Sequence, residues 1–365
     1  MRGNLSVSKT TPQTSREVGK VSIGNLRLES GYVLPDVALA YERCGNRSGP
    51  SIVVCHALTG NQFAVGTEDE PGWWSGLIGS GKAVDTDVYQ VITFNVLGGC
   101  QGSTGPTSLS PDGSVYRMKF PRITVRDMVH AQKMGLDQLG IHHVQAVIGG
   151  SLGGMQVFEW GVMYPTFMDQ LFILAATPYL SDYGIAFNRI GIAAIENDPH
   201  WKNGNYLHSS EVKGFHIARM AGLVTYRSDD LFNGRFERQM NQSTDFPYYE
   251  VESYLLYQGE KLANRFDVNS YLYLLHAMNS HDIGRGRGGW KKVASTYEAE
   301  VIGVAFQHDL IYSADVLKRF TEIVPNGTFY YVETPFGHDG FLTEFNRWDD
   351  IIRTHLKPKK QAQAR

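Results

Sequence analysis

Short apolar runs alternate with longer amphipathic stretches along most of this chain. Ser51 to Cys55, Tyr89 to Asn95, Val144 to Ile148, Gln170 to Ala175, Val301 to Phe306 and Phe329 to Val332 are each brief, largely apolar and bounded by turn-forming residues. Such runs predict strands buried on both faces. Ahead of them, Val21 to Glu29 and Tyr32 to Glu42 alternate well enough to predict two half-buried strands paired antiparallel. Between the apolar runs lie helical spacings. Val125, Met128, Val129, Leu136 and Leu139 share one face, Thr124 and Asp127 fit a capping box, and Gly140 stops the helix. A helix starts near Met155 to Trp160, another spans about Ser313 to Ile323, and a terminal one runs to about His355. Asp315 falls on the second of these. Repeated alternation of strand and helix predicts a mostly parallel α/β sheet with flanking helices.

The alternation breaks from about Tyr179 to Trp290. Here Met, Tyr, Phe and charged residues recur at helical spacing, as in Ser253 to Phe266 and Val268 to Met278. A helical insertion covering the C-terminal edge of the sheet is predicted. The chain then divides into a first core part (1–178), a helical lid (179–295) and a second core part (296–365). Met1 to about Gly19, rich in Ser, Thr and Lys, is expected to be a loose arm.

Composition narrows the function classes. The 365 residues are 42% hydrophobic with a formal net charge of −3, which makes no electrostatic case for nucleic acid or an anionic membrane. No apolar run approaches a membrane span, and Met1 to Lys20 lacks the apolar core of a signal peptide. Cys44, Cys55 and Cys100 are odd in number and have no metal-ligand spacing. Neither a disulfide framework nor a bound metal is expected, and a reducing, cytoplasmic setting is.

The chemistry gathers around Gly149-Gly150-Ser151-Leu152-Gly153, a G-x-S-x-G motif placed between a buried strand and a helix start. That context is what a nucleophile elbow requires. An ordinary glycine-rich βα turn is the plainer alternative. A serine hydroxyl needs a base, and the base an orienting carboxylate. Asp309 directly follows one strand and His338 sits in the loop after the next, so both fall at the sheet edge that carries Ser151. His308 would point elsewhere if Asp309 faces the site. An oxyanion needs backbone N–H donors. Leu152, after the serine, is one candidate, and Leu58, in the His56-Ala57-Leu58-Thr59-Gly60 loop, is the other. His56 is expected to pin that loop rather than act as base. Leu97 to Pro106 packs small residues near a site, but without the lysine of a phosphate-binding loop. Cys100 within it is expected to be a small buried thiol.

Many of these segments resemble homoserine O-acetyltransferases, from about Ser22 to the terminal helix. The most specific are His56 to Gly60, Gly72-Trp73-Trp74, Asn95 to Pro106 and Gly150 to Gln156. Ala218-Arg219-Met220, Thr225-Tyr226, Val251 to Leu255, Asn269 to Tyr273 and Gly337-His338-Asp339 follow in order. The family often carries Met where this chain has Leu152, a swap that conserves volume and leaves the N–H. The resemblance implies an α/β-hydrolase fold with a helical lid, usually a homodimer. It implies acetyl-CoA as acyl donor, L-homoserine as acceptor, a place in methionine biosynthesis and no bound cofactor. It also implies that Arg219 takes the acceptor carboxylate and Asp339 its ammonium, with Tyr226 in the same pocket. Alternatives are a succinyl donor, another hydroxy acceptor such as serine or deacetylcephalosporin, an esterase on the same triad, or a non-catalytic binding protein.

Overall fold

A computed structural model describes residues 15–241 and 247–357. The chain opens with two long strands, β1 (Ser15–Arg27) and β2 (Val33–Gly45), paired antiparallel with Ser15 opposite Gly45 and Arg27 opposite Val33. Ser15 to Gly19, expected in the loose arm, are therefore sheet; residues 1–14 lie outside the described residues. The correction has a simple cause. This end of β1 is held by pairing and by polar contacts, such as Arg47 on the Glu17 carboxylate at 2.6 Å, so it carries little apolar signal.

Next come β3 (Ser51–Cys55), a parallel ribbon of β4 (Ile78–Gly79) and β5 (Val84–Asp85), and β6 (Gln90–Phe94). Then follow α1 (Val125–Gln138), β7 (Val144–Gly150), α2 (Leu152–Met163) and β8 (Met168–Leu174). The capping box at Thr124 and Asp127 is formed. After the insertion come β11 (Glu300–Phe306), α9 (Ala314–Ile323), β12 (Gly327–Val332) and α10 (Asp349–His355). The main sheet has eight strands in the order β1-β2-β6-β3-β7-β8-β11-β12. It is antiparallel from β1 to β6 and parallel from β6 onward.

Alternate residues of the central strands feed opposite cores, as the period of two dictates. Val53 and Cys55 pack on the side of α1, α2 and α9, with Met128, Phe158, Trp160 and Phe320. Ile52 and Val54 pack on the other side with Trp74, Trp348 and Ile352. This is why the strands read as continuous apolar runs.

Between β8 and β11 lie α3 (Asp182–Glu196), α4 (Lys213–Tyr226), α5 (Asp229–Phe236), β9 (Met240–Asn241), β10 (Tyr248–Tyr249), α6 (Glu250–Ala263), α7 (Val268–Asn279) and α8 (Trp290–Ala294). The strands β9 and β10 form a two-residue antiparallel ribbon. Helix α4 packs between α3 and α6. Helix α7 is buried over most of its length, and its Leu272, Leu274 and Leu275 join the same apolar cluster as α1 and α2. Among the described residues, no helix is long and apolar enough to cross a membrane.

Candidate active site

The turn from β7 into α2 holds Ser151 at φ 58° and ψ −124°, a conformation that a side chain adopts only under constraint. Its surroundings supply that constraint. A Cβ on Gly149 would stand 2.5 Å from the Gly153 carbonyl oxygen, and one on Gly153 would stand 2.1 Å from that of Cys55. Only glycine lets strand and helix close this tightly. The Ser151 N–H donates to the Leu174 carbonyl at 3.1 Å, tying the turn to β8. A buried polar chain steadies α2 behind it. Trp160 Nε1 donates to Gln132 at 3.0 Å, Gln132 to Gln156 at 2.7 Å, and Gln156 to the His56 and Leu152 carbonyls.

Asp309 leaves the end of β11, and His338 sits in a helical turn, Gly337–Leu342, beyond β12. The sheet brings them together across 29 positions of sequence: His338 Nδ1 meets Asp309 Oδ2 at 2.8 Å. The other carboxylate oxygen accepts from the Ile311 and Tyr312 N–H groups at 2.9 and 3.0 Å. The aspartate is thus locked, and its acceptor side faces the imidazole. Burial alone would lower the His338 pKa, but the charge and hydrogen bond of Asp309, helped by Asp339, outweigh it and raise the pKa. With Nδ1 committed to Asp309, Nε2 is the ring nitrogen left for chemistry. Ser151 and His338 line one cavity of about 250 Å³. They are not directly hydrogen-bonded there.

Leu58 lines the same cavity, and its N–H meets no acceptor among the described residues. Leu152 is the first residue of α2, where the backbone N–H has no intrahelical acceptor. His56 is fully buried, and burial pushes its pKa down to about 4. Its Nδ1 reaches the Ala57 carbonyl at 2.7 Å, and its Nε2 accepts the Val96 N–H at 3.0 Å. A neutral ring with both nitrogens engaged pins the Leu58 loop to the end of β6 and has no lone pair to spare as a base. His308 turns away, toward Asp230 at 3.4 Å. Cys100 is half-buried outside this cavity, its thiol pushed up to about 11 by burial.

Arg219 and Tyr226, both on α4, and Asp339, beside His338, line the cavity. The Arg219 guanidinium lies 5.8 Å from the Tyr226 ring centre, and its buried Nε has no partner among the described residues. Two further residues were not singled out by sequence reasoning. Arg227 follows Tyr226 directly and donates from Nε to Asp339 Oδ2 at 3.1 Å. Tyr312 packs its ring 5.1 Å from that of His338, and its buried hydroxyl stands beside Ser151 without a well-formed hydrogen bond. Position was the only available signal: one abuts the Thr225-Tyr226 motif and the other lies three residues past Asp309.

Sheet order, elbow and helical cover define a protein of the α/β-hydrolase fold, and the family model of that description matches residues 50–345. A homoserine O-acetyltransferase of Symbiobacterium thermophilum is 44% identical over 351 residues, covering 91% of this chain and 92% of its own. The crystal structure of homoserine O-acetyltransferase from Staphylococcus aureus superposes with a TM-score of 0.79 at 35% identity, covering 95% of this chain and 97% of that one. The acetyl esterase MekB superposes with a TM-score of 0.80 at 25% identity, covering 93% and 95%. The chain belongs to the homoserine O-acetyltransferase family and is an acyltransferase.

Proposed function

We propose that this chain transfers an acetyl group from acetyl-CoA to the hydroxyl of L-homoserine, through an acyl-Ser151 intermediate, in methionine biosynthesis. The observation that carries the reading is one small cavity lined by Ser151, His338, Arg219 and Asp339. A zwitterionic acceptor needs a cation and an anion at set places, and a plain ester hydrolase does not. His338 Nε2 takes the Ser151 proton while Oγ attacks the thioester carbonyl. The Leu58 and Leu152 N–H groups receive the oxyanion. The intermediate collapses, the C–S bond breaks, and His338 gives its proton to the leaving sulfur, so that CoA departs as the thiol and the imidazole is neutral again. Homoserine then enters. Arg219 takes its carboxylate, Asp339 its ammonium, and Tyr226 closes the pocket wall. Its hydroxyl passes a proton to His338 as it attacks the acyl-enzyme. The second oxyanion collapses, and the proton returns to Ser151. No metal or resident cofactor enters this scheme.

The test is a matrix of acyl-CoA donors against hydroxy amino acids, read by CoA release. CoA release at the same rate with and without homoserine would favour the second reading, an esterase, to which the likeness to an acetyl esterase lends support. We further infer a cytoplasmic homodimer. The outer faces of α4 and α6 support the dimer, since Ile217, Val224, Leu256 and Tyr257 are each at least half exposed there.

A further inference from the structure

Two cations line the cavity, and the proposed reaction uses only one. Arg219 has its role in the acceptor carboxylate. Arg227 is unexplained, yet its placement is tightly made. It ends α4 in an extended conformation, and the next residue, Ser228, caps α5. The Ser228 hydroxyl donates to the Pro335 carbonyl and accepts the Leu231 N–H at 3.0 Å. The segment is thereby clamped to the loop that carries His338 and Asp339. At the far end of the side chain, Arg227 Nη1 donates to the Tyr254 hydroxyl, and the guanidinium carbon lies 5.5 Å from the Tyr254 ring centre. Arg227 and Asp339 side chains are only 20% and 16% exposed, so their interaction is weakly screened.

The pairing is one-sided. Asp339 Oδ2 takes the Arg227 Nε, whereas Oδ1 accepts no hydrogen bond among the described residues. A guanidinium can take both oxygens of a carboxylate, and with Nη1 on Tyr254 this one takes a single oxygen. Here one lone-pair set is left over, on a carboxylate that already lines the cavity.

We propose that Arg227 is a positioning residue for the acceptor: it fixes the Asp339 carboxylate so that the free oxygen meets the acceptor's ammonium, and it offsets the Asp339 charge beside His338. This deepens the function proposed above and rests on it. Arg227 forms and breaks no bond in the reaction. Its effects reach the chemistry through Asp339.

The charged and titratable groups around His338 make the second effect readable. Asp309 faces it from the loop after β11, and Tyr312 from the segment leading to α9. Tyr226 faces it from α4, Asp339 adjoins it in its own turn, and Arg219, Arg227 and Ser151 share its cavity. Asp339 is among the groups that raise the His338 pKa. Without Arg227, its charge acts unopposed.

The experiment uses the full chain with acetyl-CoA and homoserine. It compares Arg227→Ala, Arg227→Lys, Asp339→Asn and the Arg227→Ala/Asp339→Asn double variant. Arg227→Ala should raise the homoserine KM about 10- to 100-fold, the size of a lost charge contact in a desolvated site, and leave the acyl-enzyme burst within about threefold. Arg227→Lys should recover part of the loss. In the Asp339→Asn background the further effect of Arg227→Ala should shrink to about twofold, because both changes remove one device. The acid limb of the transfer rate should move to higher pH in Arg227→Ala alone. Additive effects, an unchanged homoserine KM, or a loss confined to the acyl-CoA KM would each overturn the inference. If Arg227→Ala does not fold, the lysine variant and its own cycle with Asp339→Asn decide the matter. The unaltered chain separates the two claims. CoA release independent of homoserine would overturn the proposed function and this inference together. Intact dependence with an additive cycle would overturn the inference alone.

Discussion

Ser151, His338 and Asp309 come from three separate loops, and the Asp309 carboxylate, itself held by the Ile311 and Tyr312 N–H groups, fixes the His338 ring through Nδ1. If they act as the proposed triad, Ser151→Ala abolishes the acyl-enzyme, and His338→Ala or Asp309→Asn lowers turnover by about 10⁴-fold while the fold persists. Stopped-flow CoA release and circular dichroism check this, and a normal burst from pure Ser151→Ala would end the serine mechanism. The raised His338 pKa gives the reaction a direction in pH. The base must be neutral, so activity falls as pH is lowered through a value above the ordinary 6.5 of histidine. The linked stability runs the other way. A histidine whose folded pKa is raised adds stability below its unfolded value, and that stability is lost as pH rises through the folded value. Inactive Ser151→Ala lets the two be measured apart. Tyr312 poses a different question. Its buried hydroxyl lacks a well-made partner, so Tyr312→Phe removes a desolvation cost and breaks no bond. Its melting temperature should match or exceed that of the unaltered chain. A loss above about 1 kcal/mol would mean that the hydroxyl is bonded in solution.

Helix α2 starts directly after Ser151, and one buried carboxylate ties it to its neighbours. Glu159 is 1% exposed and accepts from Arg126 of α1 at 3.0 Å and from Arg287, ahead of α8, at 2.7 Å. Arg126 also reaches Glu29, beyond β1, at 2.8 Å. Core helices and insertion therefore meet at a single side chain. Removing one member of a buried, hydrogen-bonded ion network is costly because the other charges stay in place. Glu159→Ala should lose about 3 kcal/mol of stability in urea titrations. A change below about 0.5 kcal/mol would place this network with the solvent-screened surface pairs. Little of this was legible beforehand. The Thr124–Asp127 cap could be read because its partners are three residues apart, whereas Glu159 and Arg287 are 128 apart.

At the level of the whole chain, the insertion does two things. It roofs the cavity with Arg219 and Tyr226, and its outer helices offer apolar side chains to solvent. If those faces form the proposed dimer, Val224→Glu combined with Leu256→Glu should yield monomers in sedimentation velocity. Charges placed at the centre of an apolar interface are strongly unfavourable. An unaltered chain that sediments as a monomer at micromolar concentration would dismiss the dimer.

Local pattern was enough for the buried strands, the α1 helix and the elbow. Each is specified by neighbours within a few residues: apolar continuity, a capping pair, glycines that let strand meet helix. The order of Ser151, Asp309 and His338 along the chain, set against those strands, was enough to name a candidate triad. Contacts between distant segments were not readable in the same way. The early start of β1 depends on pairing with β2, since its own residues there are polar. The partner of Asp339 turned out to be Arg227, 112 residues away, and sequence spacing says nothing about which of many arginines will reach a given carboxylate. Periodicity reports which face of an element is buried. Which charged side chains meet inside the cavity is settled by how the insertion packs over the sheet, and that is a property of the folded chain alone.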